Sequence, residues 1–197
     1  ERDRLSYQDE TGLLDLPLPN LPGPHQIMNA GAAVAALRVL GKSEAACETA
    51  VSRAYWPARM EKLTEGALVD LVRPAELWLD GGHNPAAGKM LAQTLQQQPA
   101  RPTHLICGML KTKDVGGYLA PLATVAESLT AVSIPGEAAT LTAEETAREA
   151  KDVGLAAYET GDLRAALKRI IDQTPNARIL ICGSLYLAGH VMRENGS

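Results

Sequence analysis

From residue 76 onward the sequence predicts an α/β fold with a largely parallel sheet. Three observations support this. Short apolar strands are expected at 76–80, 104–109, 130–134, 155–158 and 177–182, and helices at 85–97, 115–128, 143–153, 163–173 and 185–194. Short strands alternating with helices of about 10 to 15 residues mark βαβ units. The helix starts are also punctuated: Asn84 precedes Pro85 as an N-cap precedes a first helical proline, Thr142 with Glu145 fits a capping box, and Asp162 stands at a third cap. Finally, Leu105-Ile106-Cys107-Gly108 and Leu180-Ile181-Cys182-Gly183 read as two similar buried strands, each ending in glycine.

The chain ahead of this region is organised differently. Residues 5–18 hold a short strand or two, closed by proline-rich punctuation. Residues 25–40 read as a helix whose small residues allow close packing, and 43–54 as a second helix with Ser43 as N-cap. Tyr55-Trp56-Pro57-Ala58-Arg59 breaks the pattern, which divides the chain into 1–54 and 55–197. Two further strands are expected at 60–63 and 68–72, joined through Thr64-Glu65-Gly66 as a β-hairpin. The opening Glu1-Arg2-Asp3-Arg4, without Met, and the proline-rich stretch after it read as a longer protein joined partway along.

Composition narrows the class. A length of 197 residues accommodates one domain, or one domain and a piece of another, and 46% hydrophobic residues suit a packed core. With two Trp, five Tyr and no Phe, that core must come from Leu, Ile, Val and Ala. The formal net charge of -4 leaves no broad basic footprint for nucleic acid or an anionic membrane, so neither is expected as a partner. Three widely spaced cysteines give no metal spacing and no disulfide framework. No apolar run reaches the roughly 18 residues of a membrane span, and a reducing cytoplasm is the expected location.

The stretch richest in chemistry is Asp80-Gly81-Gly82-His83-Asn84-Pro85. It places a carboxylate and an imidazole between a strand and a helix start, at the sheet edge where open α/β folds bind ligands. The two glycines tolerate positive φ and close approach, and the helix start favours an anion. Capping alone explains Asp, Gly and Asn at such a turn equally well. Gly108-Met109-Leu110-Lys111-Thr112-Lys113-Asp114 reaches the same edge with two lysines, suited to phosphate or carboxylate or simply to solvent. Ser184 follows the last strand and is read first as a helix cap. Arg59 is either a cation reaching an anion or an ordinary surface arginine. His25 and Asn29 share one helix face, as a packed polar pair or as ligand contacts. The sequence contains no Gly-x-x-x-x-Gly-Lys-Ser/Thr loop and no Gly-x-Gly-x-x-Gly opening a βαβ unit.

Five motifs in order carry a family resemblance. They are His25-Gln26-x-x-Asn29-Ala30, Trp56-Pro57-Ala58-Arg59-Met60-Glu61, Asp80-Gly81-Gly82-His83-Asn84-Pro85, Gly108-Met109-Leu110 with Lys113-Asp114, and Gly183-Ser184-Leu185-Tyr186. Together they resemble the carboxyl-terminal part of the folylpolyglutamate synthase/dihydrofolate synthase family, within the Mur-type ATP-dependent amide ligases. The resemblance implies a Rossmann-like domain with helices on both faces at 55–197, preceded by the tail of a central ATPase domain at 1–54. It implies ATP with Mg²⁺, the Mg²⁺ ligands lying in a preceding part. Its substrates would be L-glutamate and dihydropteroate or folate, joined through an acyl phosphate by a protein monomeric at full length. By the same resemblance, Asn29, Arg59 and Asp80 would contact the nucleotide, Arg59 on its phosphate side and Asp80 at its ribose. His83 would line the junction with the incoming glutamate, and Ser184 would help to place it. Gly82 departs from the common alanine of that motif, and the stretch between Arg59 and Asp80 is longer than usual, as an extended hairpin would make it. Without a P-loop the chain alone is expected not to ligate. The alternatives are a muramyl-peptide ligase carboxyl-terminal domain and a non-catalytic α/β nucleotide-binding module.

Overall fold

The computed structural model describes residues 4–196; residues 1–3, with the opening Glu1-Arg2-Asp3, and residue 197 lie outside the described residues. The chain divides into two compact units, Glu1–Pro57 and Ala58–Ser197. In the first, β1 (Arg4–Asp9) and β2 (Gly12–Pro17) form an antiparallel hairpin, followed by α1 (Pro24–Val39) and α2 (Glu44–Arg53). Leu5, Leu14 and Leu16 of the hairpin pack against Ala30, Val34, Cys47 and Val51 of the helices. Ser43 caps α2 through the amide of Ala46, as its sequence position predicts.

In the second unit the elements run β3 (Glu61–Leu63), α3 (Ala67–Val72), β4 (Glu76–Leu79), α4 (Pro85–Gln96), β5 (Thr103–Cys107) and α5 (Val115–Leu122). They continue as β6 (Ser128–Ala131), α6 (Ala143–Asp152), β7 (Ala157–Glu159), α7 (Leu163–Gln173), β8 (Arg178–Cys182) and α8 (Leu185–Asn195). The six strands form one sheet in the order β3-β4-β8-β5-β6-β7, with only β3 antiparallel to its neighbour. β5 and β8 are buried along their whole length, as strands covered on both faces must be. One face packs Leu68, Val72, Leu167, Ile170 and Val191 onto Leu77, Leu79, Ile106, Ile179 and Ile181, from α3, α7 and α8. The other packs Leu91, Leu95, Tyr118, Leu119 and Ala147 onto Leu105, Leu129 and Leu180, from α4, α5 and α6. Helices therefore cover both faces.

Two expectations are overturned. Residues 68–72 are not the second strand of a hairpin: they lie in α3, and β3 pairs instead with β4. Leu68, Val69 and Val72 are the buried positions, a helical spacing, and the free amides of Leu68 and Val69 are accepted by Asn195 Oδ1 at 3.0 and 3.3 Å. The cap arrives from 127 residues away, so no local signal announces it. The helix read over 115–128 also stops early, at Leu122, after Pro121. The strand after it begins at Ser128, two residues before the expected 130, because Ser128 pairs in parallel register with His104.

Candidate functional site

Three loops leave the carboxyl ends of the adjacent strands β4, β8 and β5, and they carry most of the chemistry. After β4, the amide of Asp80 still bonds to Ile181 O at 2.9 Å, which fixes the turn to the sheet. Asn84 then caps α4 through the amide of Ala87 at 2.9 Å, with Pro85 in the first turn. Neither glycine of the turn has positive φ, so of the two uses expected from sequence the structure shows close approach. A Cβ on Gly81 would lie 2.2 Å from Leu185 Cδ2 and 3.2 Å from Arg59 Nη1, and one on Gly82 would lie 2.8 Å from Asp80 Oδ1. Gly81 is thus the point at which Arg59 and the start of α8 close on the turn.

Asp80 is buried, at 6% exposure. Its Oδ1 accepts from the amide of Gly82 at 2.6 Å, and its Oδ2 from the amide of Met60 at 2.8 Å. Arg59 is half-buried and donates through Nη1 to Ala58 O at 3.0 Å. A guanidinium has five N–H donors, so this bond leaves several for a ligand. His83 Nδ1 lies 3.0 Å from Gly81 O. A carbonyl only accepts, so Nδ1 donates here, and Nε2 is the ring nitrogen left to meet a ligand.

After β8 the chain turns at Gly183, with φ of 102°, where a Cβ would meet Cys107 Sγ at 2.8 Å and Gly108 O at 2.9 Å. Only glycine suits both the conformation and the space. Ser184 follows, 3% exposed, and its Oγ accepts from the amide of Tyr186 at 3.1 Å as the cap of α8. The loop after β5 brings Leu110 and Lys113 to the same place. A cavity of about 220 Å³ is lined by His83, Leu110, Lys113, Gly183, Ser184, Leu185 and Tyr186. Sequence reading named both lysines of this loop; the structure selects Lys113 and leaves Lys111 exposed. Beneath the floor, Cys107 and Cys182 face each other across β5 and β8. Hydrogen bonding to Cys182 and then burial push the Cys107 thiol well above its usual range, so it is not a nucleophile.

Arg59, Asp80, His83, Lys113 and Ser184 therefore belong to one unit and one sheet edge. Asn29 belongs to the other unit, on the exposed side of α1, and its amide donates to Gln26 Oε1 at 2.9 Å. Among the described residues, no group of three or more His, Cys, Asp and Glu side chains is placed to hold a metal ion, and no helix is long and apolar enough to cross a membrane. Sequence reading placed Glu61 in a motif without a role and missed the backbone around Arg59. Ala58 and Met60 both adopt positive φ, 55° and 45°, and neither residue type signals it.

Comparison with known proteins places this geometry. The chain is 29% identical over 199 residues to a folylpolyglutamate synthase of Lacticaseibacillus casei, covering 95% of this chain and 42% of the relative. It is 30% identical over 191 residues to the dihydrofolate synthase/folylpolyglutamate synthase of Escherichia coli K12, again covering 95% and 42%. The chain thus spans less than half the length of these curated relatives. Among solved structures, E. coli FolC in complex with DHPP and ADP superposes with a TM-score of 0.79 at 28% identity, over 95% of this chain and 42% of that one. A Mycobacterium tuberculosis folylpolyglutamate synthase complexed with ADP superposes at 0.78 and 26% identity, over 94% and 43%. The family model described as Mur ligase, glutamate ligase domain matches residues 58–185, from the first residues of the Arg59 loop to the start of α8. With all three loops of the candidate site inside that match, the chain belongs to the Mur ligase glutamate ligase domain family.

Proposed function

We propose that this chain supplies the nucleotide- and amino-acid-facing part of an ATP-dependent ligase that joins L-glutamate to the carboxylate of dihydropteroate or a folate. The observation that supports it best is the cavity where the His83 imidazole, the Lys113 ammonium and the Ser184 hydroxyl share one wall-to-wall space at the sheet edge. L-glutamate would offer its two carboxylates to Lys113 and Ser184, and its amine to His83. In the proposed step the amine nitrogen attacks an acyl phosphate, the C–N bond forms, the acyl C–O bond to phosphate breaks, and inorganic phosphate leaves. His83 Nε2 would take the proton the amine gives up. Most of the rate enhancement would come from holding the reactants together and from placed charge.

Arg59 would face the phosphates of ATP, for which a guanidinium is well suited. Asp80 would contact a ribose hydroxyl, and Asn29 would add a nucleotide contact. Two relatives solved with ADP support a nucleotide at this fold. Mg²⁺ would enter with ATP on protein ligands outside this chain. Residues 1–54 would be the tail of a central ATPase domain and 55–197 the glutamate ligase domain, in a protein monomeric at full length. Three free, buried cysteines support a reducing cytoplasm.

The test is a pair of NMR titrations. ATP is expected to shift the amides of Gly81 to Asn84 and the Arg59 side chain. L-glutamate is expected to shift Lys113, Ser184 and Tyr186. The reading is overturned if neither ligand moves its set at millimolar concentration, or if L-glutamate moves residues away from the cavity.

A further inference from the structure

Arg59 sits in a backbone arrangement that its own sequence does not favour. The residues on either side, Ala58 and Met60, are both left-handed although neither is glycine. L side chains rarely adopt that conformation, and it persists only where the surroundings over-determine it. The surroundings here are specific. Ala58 is 2% exposed within the core on one face of the sheet, and Met60 is 2% exposed within the core on the other. Each is also held by a carboxylate. The Ala58 amide donates to Glu61 Oε2 at 2.8 Å, and the Met60 amide donates to Asp80 Oδ2 at 2.8 Å. The Ala58 carbonyl accepts from the Gly81 amide at 2.9 Å and from Arg59 Nη1 at 3.0 Å. Asp80 Oδ1 completes the frame on the Gly82 amide at 2.6 Å. Arg59 is the one residue of the three whose side chain is left out of the cores.

We propose that Glu61 and Asp80 are positioning residues for Arg59. Their carboxylates clamp the amides that flank it, hold the left-handed pair, and so preset the guanidinium beside Gly81 at the carboxyl end of β4. This deepens the reading of Arg59 as a phosphate-binding residue and rests on it for its consequence. For Asp80 it adds a role beyond any contact with a ribose, because the carboxylate is committed to two backbone amides before a ligand arrives. It also gives the Ala58-Arg59-Met60-Glu61 sequence a physical reason: the glutamate three residues after the alanine closes the loop onto itself.

The experiment uses this chain without ligand. In Asp80→Asn and Glu61→Gln, ¹⁵N relaxation of Arg59 Nε is measured together with amide hydrogen exchange. Exchange at Met60 in the first variant, and at Ala58 in the second, is expected to quicken roughly ten- to a hundred-fold, the size of a lost charge-assisted bond. Arg59 Nε is expected to gain fast motion in both, while Leu105 and Ile181 in the core stay protected. Arg59 as ordered as in the parent chain in both variants overturns the proposal. If Asp80→Asn loses protection throughout the core, Glu61→Gln alone decides.

Titration with inorganic tripolyphosphate separates this from the phosphate reading. The parent chain's failure to bind it refutes Arg59 as a phosphate ligand and leaves the relaxation result standing. Where it binds, Asp80→Asn is expected to weaken it several-fold in the parent and not at all in an Arg59→Ala background. Equal weakening in both backgrounds means that Asp80 acts by a route other than Arg59, and overturns the proposal.

Discussion

Gly88 lies in the first turns of α4, and its replacement by alanine sets two effects of opposite sign against each other. On helix propensity alone, Gly88→Ala should stabilise by about 1 kcal/mol. The structure opposes this. A Cβ built on Gly88 would lie 2.1 Å from the backbone oxygen of Tyr118, 3.0 Å from its carbonyl carbon and 3.2 Å from its Cα. The obstacle is the backbone of α5, not the tip of a flexible side chain. Relief requires α4 and α5 to separate by about 1 Å across the layer of Leu91, Leu95, Leu119 and Leu122. Overpacking of this kind costs about 1–3 kcal/mol, and a backbone obstacle puts it at the upper end. The net expectation is a loss of about 2 kcal/mol, or roughly 6 °C in Tm for a unit of this size. Urea unfolding followed by Trp78 fluorescence measures it, since Trp78 packs against this core while Trp56 is already 63% exposed. Gly189→Ala in α8 is the control: its nearest neighbour is Arg193 Nη1 at 3.6 Å, an ordinary contact with a mobile tip, so it should gain up to about 1 kcal/mol. Gly88→Ala as stable as Gly189→Ala would refute the close approach. Because Asn84 caps α4 and follows directly on the turn, the same substitution should also shift the amides of Gly81 to His83.

Three other outcomes are expected. Ser184→Ala should lose about 1 kcal/mol with the cap of α8, and Ser184→Asn should restore it; an L-glutamate response absent from both variants assigns the hydroxyl to the ligand, and one recovered in the asparagine variant assigns it to the cap. His104 is buried in β5 with Nδ1 2.8 Å from Ser128 Oγ, and its pKa is held below the ordinary 6.5 by burial, against the pull of Glu127 and with a push from Arg169. The unfolded chain therefore takes up the proton first as pH falls. The contribution of His104 to stability should be level above about pH 6.5 and fall below it, and His104→Gln should lessen the decline seen there in urea titrations at several pH values. Asn195→Ala removes the acceptor of the Leu68 and Val69 amides and the donor to Glu65 O; hydrogen exchange at Leu68 and Val69 should quicken at least tenfold, and unchanged protection there would disprove the capping.

What could be read from the sequence was local. Asn84, Thr142 with Glu145, Asp162 and Ser184 announce their helices because an N-cap and the amide it satisfies are two or three residues apart. The strands β5 and β8 were legible because burial on both faces leaves the apolar runs 105–107 and 179–182. α3 was not legible: its six residues are too few for a clear period, and its cap comes from Asn195. Pro121 was the overlooked signal for the end of α5. At the site, residue types placed Asp80, His83 and Ser184 at the sheet edge. They could not show that Gly81 and Gly82 serve space instead of φ, nor that Ala58 and Met60 carry the unusual backbone, because carboxylates distant or adjacent in sequence impose it.

The position of β8 has a consequence for how the molecule comes into being. It is the last strand among the described residues, yet it stands between β4 and β5, which pair with it and not with each other. Without β8 the remaining pairings leave two separate pieces of sheet, β3-β4 and β5-β6-β7, with a slot between them. They can join only when residues 178–182 have been made and have slid into the slot. Closure of the sheet is therefore a late event, with contacts that span most of the unit, and such closures are slow. The turn after β4 and the lysine loop after β5 lie on opposite sides of that slot. Until the final strand is seated they are not neighbours, so the cavity comes into existence in the same step that completes the fold.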